Sequence, residues 1–377
     1  VTIRGRLSQF AAFIALILLA SSSAFAQSPQ GFDPRPFELG TSGGNIKSIR
    51  VTRRSSLCCS GTLGSLVQDS GGKQYILSNN HVLARQSTHS RHAAHGESIL
   101  QPGLVDSGCQ ATSSDVAASL SNWIPLQITR SAKNVGDAAI AEVIGGDVDP
   151  SGRILNIGAL APAIVASNAV TLGLAVKKMG RTTGLTTGQV SAVGATILVR
   201  YPKECNSIGV GVARFLNQVV IEGGGAFSDA GDSGSLVATQ DSCPRAVALL
   251  FADGTDRSGT HVTFANPIDS VLSGLNVTMV GTCTSSSTMV AQNDSAGSPG
   301  SSAATPDAAF ARAMTNAKAI KDRHDDELMN IPGVVGTAIG KGSTPGQVAI
   351  HVYVQKDTPE VRKHLPNQIE GVPVIIR

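Results

Sequence analysis

Ser233 stands between two glycines in Gly231-Asp232-Ser233-Gly234-Ser235, and the apolar run Leu236-Val237-Ala238 follows it. A serine hydroxyl attacks a carbonyl carbon only when a base takes its proton, so the stretch needs partners elsewhere. His81 is a base of the right type, in Ile76-Leu77-Ser78-Asn79-Asn80-His81-Val82-Leu83, and Asp137 is a carboxylate, in Gly136-Asp137-Ala138-Ala139-Ile140-Ala141. A carboxylate facing an imidazole fixes the ring tautomer and stabilises the imidazolium that forms when the proton arrives. Asp137 also opens an apolar run, where an inward-pointing acid requires a partner. The glycines permit a turn that presents backbone N–H groups to a developing oxyanion, in conformations that side chains resist. These residue types together point to acyl transfer.

The chain order His81, Asp137, Ser233 is the chymotrypsin order, distinct from that of subtilisin and of the α/β-hydrolases. In these three stretches the sequence resembles the trypsin-like serine peptidases, especially a bacterial branch that reads NNHVLA around the histidine. The resemblance covers roughly residues 46–280. It implies an all-β, chymotrypsin-like pair of antiparallel β-barrels, with His81, Asp137 and Ser233 as a triad working through an acyl-enzyme. It also implies an oxyanion hole made by the N–H groups of Gly231 and Ser233, and an Asp232 turned inward onto a buried cation that the sequence does not identify. The familiar motif ends in a second glycine; here the small Ser235 takes that place. The run Lys178-Met179-Gly180-Arg181-Thr182-Thr183-Gly184-Leu185-Thr186-Thr187-Gly188 is similar to a GRTTG stretch that enters the second barrel in such enzymes. It reads as a Gly/Thr hairpin that supports the fold rather than the mechanism.

By the same resemblance, the specificity pocket draws on Ala226 to Ala230 and on Leu250 to Gly254. Phe227 stands about where trypsin has its acidic floor residue. Asp229 and Asp253 could attract a basic side chain, or could be solvated loop acids. The usual Ser-Trp-Gly strand for pairing with substrate backbone is replaced by Phe251-Ala252-Asp253. That departure keeps two other readings open beside a serine endopeptidase: a double-barrel binding protein without turnover, and an esterase using the same nucleophile.

The elements that must position these residues are short apolar runs broken by turns, the pattern of strands. Leu63 to Val67, Tyr75 to Leu77, Val116 to Leu120 and Ala138 to Val143 are examples from a first set, with Gly71-Gly72 at a hairpin turn. Leu174 to Met179, Val190 to Val199, Phe215 to Ile221, Leu236 to Ala238, Ala246 to Ala252 and His261 to Phe264 form a second. Two sets of about six strands fit two closed barrels. Asn266-Pro267 reads as an N-cap and first-turn proline of a short helix through Leu275. Residues 1–26 read as a signal peptide: Arg4 and Arg6, an apolar centre, then Ala24-Phe25-Ala26. Residues 27–45 read as an extended entry segment, 46–281 as the peptidase part and 282–305 as a Ser/Gly/Ala-rich linker. Residues 306–377 have the pattern of a small αββαβ module, its first helix marked by Phe310, Ala313, Met314, Ala317 and Ile320. Within it His324-Asp325-Asp326 reads as a solvated helix end. The module carries no catalytic set and is a candidate for stabilisation, partner binding or an inhibitory contact with the peptidase part.

Of 377 residues, 30 are Lys or Arg and 27 Asp or Glu, and removing residues 1–26 leaves a charge near neutral. Nothing in that balance favours nucleic acid or an anionic membrane; the resemblance to peptidases implies a protein or peptide substrate as the partner. Six cysteines in an exported chain favour disulfides. Cys205 with Cys243, and either Cys58 or Cys59 with Cys109, are the expected pairs. His89, His92 and His95 could bind a metal at their three-residue spacing, but a polar surface loop is the preferred reading. No metal and no cofactor is expected, and the expected location is outside the cell or in the periplasm.

Overall fold

The computed structural model describes residues 28–53, 55–85, 93–202, 210–284 and 306–377. The signal-peptide segment, His89, His92, Cys205 and residues 285–305 of the linker lie outside these.

The first half of the chain folds into β1 (Thr41–Asn45), β2 (Ile49–Val51), β3 (Ser56–Cys58), β4 (Gly61–Leu63), β5 (Ser65–Gln68), β6 (Gln74–Ser78), helix α1 (Asn80–Leu83), β7 (Ser98–Leu100), β8 (Val116–Trp123) and β9 (Ala139–Val143). Their sheet runs β5-β6-β9-β8-β7-β1-β4. Strands β4 and β5 are one chain segment bent at Gly64, so the sheet curls back on itself as the first barrel. That barrel begins earlier than the sequence suggests. Thr41–Asn45, read as entry segment, is a fully buried strand paired to both β4 and β7. Its small side chains carry no alternating apolar signal, and Gly43 leaves room for Leu63 to pack directly on the backbone.

The second half gives β10 (Ala175–Gly180), β11 (Gly184–Pro202), β12 (Val210–Gly223), β13 (Leu236–Thr239), β14 (Ala246–Thr255) and β15 (His261–Pro267), then α2 (Ile268–Leu275) and β16 (Thr278–Met279). The order β10-β13-β14-β15-β12-β11, closed by β10 pairing with β11, is a six-stranded ring. Helix α2 buries Ile268, Val271, Leu272 and Leu275, one apolar stripe at helical spacing, against the first barrel's core. Each such burial contributes about 1.5–3 kcal/mol. The helix starts one residue later than expected: Asn266 is not its cap but lies in β15, where its side chain has another use.

The C-terminal residues form α3 (Pro306–Asn330), β17 (Val334–Lys341), β18 (Val348–Val354), α4 (Pro359–His364), β19 (Gln368–Ile369) and β20 (Val372–Ile376). Strand β11 is long enough to serve two partners. Its start pairs with β10 inside the barrel, and Ala192, Val193, Thr196 and Ile197 pair with β17. The architecture is thus the chymotrypsin-like double barrel followed by a small α+β module, with the module's sheet continuous with that of the second barrel. Asp325 corrects the reading of a solvated helix end. It is buried, it accepts from the hydroxyls of Thr196 and Thr337, and it sits 3.2 Å from the buried Lys321 ammonium. Asp326 does face solvent, held by Arg214 at 2.6 Å. A buried carboxylate needs such partners, and only the docked barrel strand brings Thr196.

Cys58 is bonded to Cys109, one of the two expected alternatives, and Cys59 is disulfide-bonded as well. The expected Cys205–Cys243 pair does not form, because Cys243 is bonded to Cys283. After α2 the chain runs back along the first barrel, where Val280 N–H donates to Leu66 O and Cys283 N–H to Leu160 O. That return carries Cys283 to the β13–β14 turn, with 5.6 Å between the two Cα atoms.

Candidate active site

His81 lies in the one-turn helix α1, directly after β6. Asn79 does not cap that helix with its side chain; instead its amide donates to the backbone carbonyl of Asp137 at 2.7 Å. The Asp137 carboxylate in turn accepts from the His81 backbone N–H at 3.1 Å and faces ring Nδ1 at 2.6 Å. The two residues are therefore joined by backbone and side chain together. With Nδ1–H donated to the carboxylate, Nε2 is the nitrogen free to accept a proton.

Asp137 has no solvent exposure. Its own N–H donates to Asn266 Oδ1 at 3.0 Å, and the Asn266 amide donates to Gln218 Oε1 at 2.6 Å. This is the use of Asn266 that the capping pattern concealed. A further donor, Tyr201 Oη, lies 2.6 Å from Asp137 Oδ2, and sequence reasoning missed it. Burial pushes the Asp137 carboxyl up. The charge of His81, the hydrogen bonds from its ring and from Tyr201, and the His81 N–H outweigh that and hold it below the usual carboxylate value.

The Ser233 loop is held from both barrels. From the first, Thr62 N–H donates to Ser233 O at 2.8 Å and Thr62 Oγ1 donates to Gly231 O at 3.0 Å. From the second, Asp232 is the anchor. Its carboxylate accepts from Thr182 N–H (2.8 Å), Thr183 N–H (3.2 Å), Thr183 Oγ1 (2.6 Å) and Asp229 N–H (3.0 Å). The cation that the sequence left unidentified is Lys178, whose ammonium lies 3.4 Å from Asp232 with both side chains wholly buried. Burial draws the Lys178 pKa down, and Asp232 opposes that fall. The GRTTG run is therefore more than a hairpin, since it supplies most of what fixes the serine loop.

Both glycines flanking this turn are needed for their backbone. Gly231 has φ +101° and Gly234 φ +95°, a region L side chains rarely adopt. A Cβ at Gly234 would also strike the Ser78 hydroxyl and the Thr62 carbonyl. Ser235, in place of a glycine, is buried and donates its hydroxyl to Asp232 O at 2.6 Å. It tightens the turn rather than disturbing it. Arg181 adds a second tie across the barrels, bidentate to Asp106 at 2.6 Å through both Nε and Nη2.

His81, Ser233 and Gly231 all line one cleft of ≈ 1790 Å³, together with Tyr201, Asp229 and Asp253. Phe227 does not reach it. Its ring is buried in the core of the second barrel, in space left by Gly188 and Gly223, and Thr186 Oγ1 donates to its carbonyl. A side chain so engaged is wall packing, not a pocket floor. Asp253 faces His261 Nε2 at 3.4 Å. Burial raises its pKa, His261 opposes that, and the charges of Asp229 and Asp232 add to the rise. Of the loop histidines, the described His95 stacks on Trp123 with ring centroids 4.8 Å apart, its Nδ1 2.6 Å from Ser121 O.

No protein-family profile and no curated protein matches the chain. Among solved structures it is similar to a glutamic-acid-specific serine protease, at 18% identity and TM-score 0.41, over 64% of this chain and 100% of that one. It is similar as well to protease A of Thermobifida fusca, at 16% identity and TM-score 0.40, over 65% of this chain and 98% of that one. A chymotrypsin of Cellulomonas bogoriensis is similar at 16% identity and TM-score 0.40, again over 65% and 98%.

Proposed function

We propose that the chain is a serine endopeptidase that cleaves peptide bonds through an acyl-enzyme. The single observation that carries this reading is the buried Asp137 carboxylate bonded to the His81 ring at 2.6 Å, in the cleft that Ser233 also lines. Ser233 Oγ attacks the scissile carbonyl carbon as His81 Nε2 takes its proton, and Asp137 stabilises the imidazolium. The carbonyl oxygen, now negative, is received by the N–H groups of Gly231 and Ser233, each worth about 3 kcal/mol in such a role. Collapse breaks the C–N bond and His81 returns its proton to the leaving amine. Water, deprotonated by His81, then cleaves the Ser233 ester.

The disulfides, Cys58–Cys109 and Cys243–Cys283 among them, support an oxidising compartment and hence an exported protein. The test is a fluorophosphonate probe applied to the folded protein, with casein and a simple ester as substrates. Labelling at Ser233 with casein cleavage is the expected result. Labelling with ester turnover alone would replace the peptidase by an esterase, and absence of labelling would leave a binding protein.

A further inference from the structure

Asp137 must stay ionised with no solvent exposure, and the groups that meet its carboxylate are few. Oδ1 takes the His81 backbone N–H. Oδ2 takes both the His81 ring and the Tyr201 hydroxyl, each at 2.6 Å. Leu250, the strand residue bonded to the serine loop through Gly234 N–H and Ser235 O, brings no polar side chain to the carboxylate. We infer that Tyr201 is a positioning residue of the site: it sets the orientation of the Asp137 carboxylate and the share of its charge that reaches His81. This rests on the peptidase reading.

Tyr201 comes from near the far end of β11, beyond the stretch that pairs with the C-terminal module. Its ring meets the His81 ring edge-on at 6.1 Å and lies 6.1 Å from that of Phe215, which packs on Phe251 at 4.7 Å. The module's Ala338 and Tyr353 belong to the same buried cluster. The hydroxyl is thus delivered by a stiff apolar stack, not by a mobile loop. Burial, then the charge of Asp137, pushes its pKa up, so it stays a donor wherever the enzyme would work. Among the described residues, the titratable groups acting most strongly on Asp137 are His81 from α1 and Tyr201 from β11. The cleft around the ring also carries Lys47, Arg85, Glu97, Arg200, Asp229 and Asp253, none of which the substitution below touches.

A donor on Oδ2 draws part of the negative charge away from the imidazole. Without it, the carboxylate holds the imidazolium more firmly, and the base stays protonated to higher pH. Tyr201→Phe keeps the ring and removes the hydroxyl. The expected result is a roughly ten- to hundredfold fall in plateau kcat/KM, the range for loss of a hydrogen bond to a charged group, with the acid limb of the pH profile moved to higher pH. Fluorotyrosine at position 201, a stronger donor of nearly the same shape, should move that limb to lower pH, and it covers the case in which the phenylalanine variant does not fold. An unmoved acid limb in both variants would overturn the inference, even with a lower plateau, because packing alone would then account for the loss. A wild-type protein that is neither labelled at Ser233 nor active would instead overturn the peptidase reading.

Discussion

Replacing Lys178 by methionine removes the ammonium beneath the serine loop and little volume. At 3.4 Å and an effective dielectric of about 20, two unit charges attract by about 5 kcal/mol. Part of that is returned, since the variant no longer buries a lysine. Four donors from Thr182, Thr183 and Asp229 also remain on the Asp232 carboxylate. The net loss expected is about 3 kcal/mol, the lower end for breaking a buried pair, and a fall in Tm on the order of 10 °C. Denaturant unfolding of wild type and Lys178→Met measures the first, and the rate of fluorophosphonate labelling at Ser233 measures the effect on the loop. Adding Asp232→Asn removes the stranded charge, so the double variant should regain part of the stability. If Lys178→Met unfolds within 1 kcal/mol of wild type and labels at the same rate, the ion pair does not hold the loop and the account of Asp232 fails.

Gly234→Ala should destabilise the fold by more than about 2 kcal/mol and abolish labelling, through positive φ and the clash with Ser78 and Thr62; thermal melting with labelling checks it. Asp137→Asn should lower kcat by about 10⁴-fold, because the amide favours the wrong ring tautomer, as steady-state kinetics would record. His351 of β18 is buried, and burial lowers its pKa to about 4. The unfolded chain therefore binds a proton there from about pH 6.5 downwards while the folded one does not, so stability falls with pH between 6.5 and 4, by on the order of 3 kcal/mol in full. Urea unfolding of wild type and His351→Gln at pH 7 and pH 4.5 should show a smaller difference between the two pH values for the variant.

What was legible in the sequence was what local chemistry demands. A serine turn needs glycines and strands need apolar runs, so the glycine-flanked turn at Ser233, the place of His81 just after a strand and both barrels could be read. The partners of buried polar groups could not, because nothing nearby in the chain marks them. Lys178 looks like an ordinary strand lysine, and Tyr201 lies 64 residues from the carboxylate it serves. Asn266 sits where a helix cap would, yet its side chain accepts the backbone N–H of Asp137 instead. Phe227 was placed in the pocket by its distance from Ser233, but the slot between Gly188 and Gly223 takes its ring. Asp325 looked solvated because its hydroxyl partners come from another strand pair. Cysteine pairing depended on the chain's return after α2, a tertiary fact.

Thr62 belongs to one barrel, and the two carbonyls it grips, at Gly231 and Ser233, belong to the other. The seam between the halves is therefore part of what shapes the candidate site. Mild heat or pressure that parts the halves by an ångström should silence turnover while each half still keeps its native circular dichroism. Catalysis in such a molecule would report on seam closure long before it reports on melting.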